Sequence, residues 1–201
     1  MDAKERERQV QEHLAAIRRL ESTRVEDEPA ASWPPDGYYL LFHVVVGITL
    51  GGVGALVSLL ANVAGAPLFD EPALQLIRVY LTFPMGEAAL VAEPGLVLFL
   101  GCSLYLATGA LYGVAFHLLF SLYFNDASAG RKWAVGTALG LGLWVFNFYL
   151  VLSWLQPALQ GDNWIVRMVP PWVGALTHLA FAWTMVVGEL WGRFEPYRSS
   201  K

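Results

Sequence analysis

Charge is what this sequence is short of. Lys, Arg, Asp and Glu make up 15% of its 201 residues, whereas a soluble domain keeps about a quarter of its residues charged. Between residues 37 and 130 the only basic side chain is Arg78. A chain this poor in charge, 56% apolar and with a mean hydropathy of +0.46, cannot cover itself with a wetted surface. A soluble globule is excluded. A basic surplus is missing too. Residues 1–36 carry six Lys/Arg against nine Asp/Glu and the remainder seven against eight, for a net charge of −4. Neither part has the positive balance that nucleic acid demands.

Cysteine occurs once, as Cys102, so no disulfide forms within the chain, and a small buried hydrophobe is expected there. Residues 1–8 have no apolar core behind a basic cap. A cleavable leader is therefore not expected, and the first span is expected to act as the membrane address. Enzymatic signatures are missing as well. There is no phosphate-binding glycine loop, no His-Glu-x-x-His helix and no Gly-x-Ser-x-Gly elbow. Ser58, Ser103, Ser121 and Ser153 stand singly in apolar runs, where bonding back to their own helix is expected.

What is there begins with a helix over 2–24, rich in Glu, Arg, Gln and Ala, with Val10, Leu14, Ile17 and Leu20 as a narrow apolar stripe. A linker follows, in which Pro34 and Pro35 stop the helix from running on. Four segments then reach the roughly 20 apolar residues that a bilayer core of about 30 Å requires: 38–64, 96–124, 133–155 and 173–190. All are expected to be helices, since an open strand edge is not tolerated in lipid. Segment 72–93 is fairly apolar but carries Arg78, Pro84, Glu87 and Glu93, so it is expected at the interface and not as a fifth span.

Basic residues near span ends set the orientation. Arg24, Arg131, Lys132, Arg193, Arg198 and Lys201 gather on one side, against Arg78 and Arg167 on the other. Both termini are thus expected in the cytoplasm. The fold class that follows is an all-α membrane protein with four transmembrane helices as two similar hairpins. A cytoplasmic N-terminal helix and linker occupy 1–37, the bundle 38–192, and a cytoplasmic tail 193–201.

The two hairpins are suggested by repetition. Gly113-x-x-x-His117-Leu118-x-Phe120 recurs as Gly174-x-x-x-His178-Leu179-x-Phe181. Gly47-x-x-Leu50-Gly51 recurs as Gly136-x-x-Leu139-Gly140. Such marks in one order predict a parallel repeat about an axis along the membrane normal. The pairs Gly47/Gly51, Gly109/Gly113 and Gly136/Gly140 each put two small residues on one helix face, where a second backbone can come close. Asn147 places an amide deep in the third span and is expected to bond a neighbouring helix.

His117 lies nine residues before Asp126 and His178 eleven before Glu189, so the two are expected at similar depths from the cytoplasmic edge, with His43, seven residues after Asp36, slightly shallower. Three readings stand side by side. Each imidazole is neutral and bonds a backbone carbonyl or Asn147; or two of them ligate haem b inside a four-helix bundle; or they relay a proton or touch a quinone. A metal centre is not expected, because no carboxylate or thiolate cluster accompanies the histidines in sequence.

The stretch 147–181 contains Asn147-Phe148-Tyr149, Trp154-Leu155-Gln156-Pro157, Asn163-Trp164, Pro170-Pro171-Trp172 and Thr177-His178-Leu179-x-Phe181. It resembles small bacterial four-span integral membrane proteins of the YagU-like kind, with Ala182 where their pattern has glycine. The resemblance implies the four-span topology and residence in a bacterial inner membrane, and it carries over no catalytic residue.

The expected function is a non-catalytic integral membrane subunit, an accessory or scaffold protein of a larger respiratory or photosynthetic complex. Its partners would be membrane lipids and other membrane subunits, without a cofactor and without nucleic acid. The alternatives are a bis-His haem b electron carrier meeting quinone, and a small solute transporter.

Overall fold

The computed structural model describes residues 3–27, 37–192 and 194. Among these residues every regular element is helical. The chain divides into two compact units, Met1–Tyr39 and Leu40–Lys201. The first holds α1 (Ala3–Asp27), tied along its surface by Arg8 to Glu5 at 2.8 Å and to Glu12 at 3.9 Å. Its stripe of Val10, Leu14, Ile17 and Leu20 lies exposed. The proline pair of the linker falls outside the described residues.

The second unit is built on four helices long and apolar enough to cross a membrane: α2 (Tyr38–Phe69), α4 (Pro94–Tyr123), α5 (Ala129–Gln160) and α7 (Pro171–Trp191). Each runs somewhat beyond the apolar core read from sequence, for local reasons. Pro94 and Pro171 occupy first-turn positions, where a missing N–H costs nothing. The Ser128 side chain accepts from Arg131 N at 3.4 Å and starts α5 four residues early. Gly161, at φ 86°, ends α5 in the left-handed conformation. Two stretches within these helices widen into π-helix, Val97–Gly101 in α4 and Phe146–Leu152 in α5.

Between α2 and α4 lies α3 (Gln75–Met85), too short to span and ended by Gly86 at φ 63°. Both of its faces are covered. Ile77 and Leu81 pack with Leu59 and Val97, and Val79 packs with Phe148 of the third span, Ile165 of the α6 turn (Trp164–Met168) and Val169 just beyond it. Arg78 is accommodated by donating to the carbonyls of Leu90 and Ala92.

The spans approach through the small residues. A Cβ on Gly51 would stand 2.7 Å from the Cα of Gly113, and one on Gly47 2.6 Å from the Cα of Val114, so α2 and α4 touch backbone to backbone. Gly109 meets Ala55 on the same face. Gly136 faces Val186, and a Cβ on Gly140 would come within 2.8 Å of Ala182 Cβ, which brings α5 onto α7. The two contacts differ in register. Gly51 sits against Gly109 and Gly113, whereas Gly140 sits against His178 and Ala182, the position of Gly174 in the repeated motif lying one turn further off.

Candidate functional site

Polar side chains in the spans collect in tiers. At the end where α2 begins and α4 and α7 finish, His117 is completely buried and Glu189 is 8% exposed. Glu189 Oε1 lies 2.5 Å from His117 Nδ1. In the neutral imidazole with the carboxylate accepting, Nδ1 carries the hydrogen and Nε2 accepts. Next to Nε2 stand His43 Nδ1 at 3.1 Å and Ser121 Oγ at 3.3 Å. The Phe194 ring closes edge-on over His117 with centroids 5.6 Å apart. Glu189, His117 and His43 thus form a line of three titratable groups drawn from three helices.

The order carboxylate, imidazole, hydroxyl is that of a hydrolase triad, but the surroundings differ. Ser121 is one turn beyond His117 on the same uninterrupted helix, so the neighbouring backbone N–H groups are held by carbonyls four residues back. Those neighbouring N–H groups are therefore not free to hold an oxyanion. His43 also competes for the nitrogen that would take the serine proton.

The second tier is a relay across three spans. Tyr112 donates to Asn147 Oδ1 at 2.7 Å, Asn147 Nδ2 reaches His178 Nε2 at 3.1 Å, and His178 Nδ1 donates to the Gly174 carbonyl at 2.8 Å. Both nitrogens of His178 are engaged. The tiers also correct the depths expected from counting. His117 bonds Glu189, which lies eleven residues beyond His178 on α7. The two histidines therefore differ in height by about 16 Å along the helix. The miscount came from measuring each span to its own terminal acid, while α4 and α7 are staggered.

This geometry does not fit the haem reading. His117 and His178 are too far apart in height to share an iron. His43 and His117 are too close, at 3.1 Å between nitrogens and 5.2 Å between ring centroids. An intervening metal would hold two nitrogens at about twice a ~2.0 Å bond. Among the described residues no three His, Cys, Asp or Glu side chains converge as a metal shell.

A third tier lies toward the opposite end. Ser58 donates to the Thr177 carbonyl at 2.9 Å and lies 2.9 Å from the Tyr105 hydroxyl. Asn62 and Thr177 bond each other across α2 and α7. Gln156, fully buried, joins three elements by donating to Thr82 at 2.8 Å and accepting from Ile165 N at 3.1 Å. Ser58 therefore links helices instead of bonding back to its own, as Ser153 does to Tyr149. Sequence reading missed Glu189, Ser121, Tyr112 and Gln156 as partners. The one available signal was a carboxylate inside an apolar run, at Glu189.

A half-enclosed cavity of about 300 Å³ lies among the four spans, α3 and α6. Its walls include Tyr80, Tyr105, Tyr112, Asn147, Phe148 and His178, and no Asp, Glu, Lys or Arg contributes. Beside Gly174, which lines it, the Trp144 indole nitrogen is buried without a partner among the described residues; it lies 3.0 Å from where a Cβ on that glycine would be. An unpaired buried donor of this kind costs about 1–3 kcal/mol. No family model, no curated protein and no solved structure matches this chain.

Proposed function

We propose that this chain is a non-catalytic, multi-pass membrane subunit that works as an accessory or scaffold within a larger membrane assembly. The observation that carries the reading is where the polar groups go. His43, His117, His178, Glu189, Asn147, Ser58 and Gln156 all bond from one helix to another inside the chain. They fasten the bundle and leave its outer faces to apolar side chains, Trp154, Trp172, Trp183 and Trp191 among them. Such faces suit lipid and other transmembrane helices. The hairpin reading belongs to this proposal, with the first span held on the second and the third on the fourth by the glycine contacts. So do cytoplasmic termini and the bacterial inner membrane, which rest on the distribution of basic residues and the YagU-like resemblance.

Native membranes extracted in mild detergent and run on a native gel test the proposal. Co-migration with a defined larger complex is expected. Migration alone, near 22.2 kDa plus detergent, overturns it.

A further inference from the structure

We propose that the cavity in the bundle is a binding site for a neutral, lipid-soluble ring bearing carbonyl oxygens, the chemistry of a quinone head group. This goes beyond the subunit reading and does not depend on it.

Four observations converge. First, the size: about 300 Å³ lies at the small end of ligand pockets, which begin near ~300 Å³, and suits one substituted ring. Second, the charge: the wall holds no Asp, Glu, Lys or Arg, and both nitrogens of its one histidine, His178, are already bonded, so a phosphate, carboxylate or ammonium would enter without an ion partner and the occupant is neutral. Third, the shape: the aromatic side chains of Tyr80, Tyr105, Phe148 and Phe181 line the wall, and a flat ring packs among aromatic rings better than a flexible acyl chain does.

The fourth is hydrogen-bonding capacity. The wall hydroxyls already have acceptors: Tyr80 on Thr108, Thr108 on the Leu104 carbonyl, Ser58 on the Thr177 carbonyl, and Tyr112 on Asn147. The Nδ1 hydrogen of His178 goes to Gly174. One wall donor remains among the described residues, the second N–H of Asn147, whose first reaches His178. The buried indole N–H of Trp144 beside Gly174 is also without a partner, but it does not line the cavity. A spare amide donor in the wall calls for an occupant with acceptor oxygens. Asn147 and Phe148 stand on the π-helical segment Phe146–Leu152, a local widening of the kind that recurs at functional sites.

The test uses the purified full chain in detergent, with decylubiquinone as probe and 1-decanol, which keeps the tail and lacks the ring carbonyls, as control. A ligand that binds the folded state alone raises the unfolding midpoint in proportion to its occupancy. A saturable rise is expected with decylubiquinone and none with decanol. Asn147→Leu is expected to weaken the apparent affinity at least tenfold. Val151→Trp fills the cavity from the same segment without touching the Asn147 bonds and is expected to abolish the response. Equal responses to both probes, no response from a cooperatively unfolding chain, or unchanged affinity in Asn147→Leu each overturn the proposal. Should the variants fail to fold, an azidoquinone photoprobe on the unsubstituted chain decides. Adducts within 143–152 or 174–181 are expected, and adducts confined to the outward-facing residues overturn it.

Discussion

Glu189 and His117 show how much a single buried contact carries in this chain. Each is a polar group withdrawn from water, and each is tolerable because the other is within 2.5 Å. Replacing His117 with Leu leaves Glu189 buried without that bond and should cost about 1–3 kcal/mol. Removing both, as in His117→Leu with Glu189→Leu, should cost less than the sum of the single changes, because the second no longer orphans a partner. Unfolding in mixed detergent and SDS measures this. Additive losses would show that the two side chains do not act as a pair. Asn147 belongs to the same scale. Its bonds to Tyr112 and His178 are of a kind that averages about 0.6 kcal/mol between membrane helices, so they orient the three side chains more than they hold the bundle together.

Helix elements are positioned by what glycine leaves out. At Gly113 a side chain would collide with the backbone of Gly51, which a rotamer change cannot relieve. Gly113→Val should therefore destabilise the bundle by about 1–3 kcal/mol or prevent α2 and α4 from meeting. Gly142, on the same kind of helix but with nothing within 4 Å of a would-be Cβ, is the control. Gly142→Ala should be neutral or stabilising by up to ~1 kcal/mol through helix propensity alone. If the two changes have similar effects on thermal midpoint, close approach is not what fixes the helices. The turn between α5 and α6 gives an acid-sensitive element. Asp162 accepts first from the Asn163 backbone N–H at 2.7 Å and also from Arg167 at 2.5 Å, which holds its carboxyl below the usual range. A depressed carboxyl contributes stability that is full above its unfolded value of about 3.9 and is lost as pH falls through the lower folded value. Asp162→Asn should flatten that limb of an acid titration. A difference between the two proteins that persists only near neutrality and above would contradict the assignment.

For the whole molecule, four spans in sequence require alternate loops on opposite sides. Cys102 is the only cysteine, so Cys102→Ala provides a clean background for labelling. In it, a cysteine at Asp126 should react with an impermeant maleimide from the side rich in Arg131 and Lys132, which is the cytoplasm if basic residues set orientation. Cysteines at Glu71 and Asp162 should react only from the other. Labelling of all three from one side would remove the four-span arrangement. The short, covered α3 adds no crossing and so leaves this parity unchanged.

Span number, helical state and the glycine faces were legible in sequence, because each depends on local composition or on a spacing of four within one helix. Asn147 was legible as a bonding residue for the same reason: an amide in an apolar run must find a partner. What sequence could not settle was which residues of different helices share a height. That depends on stagger, set by how side chains interlock between spans, and no count along one helix contains it. Counting therefore paired His117 with His178, whereas the structure pairs His117 with Glu189 and His43, and His178 with Asn147 and Tyr112. The cavity is likewise a property of packing. Its wall is drawn from segments more than a hundred residues apart, and only their assembly leaves it open.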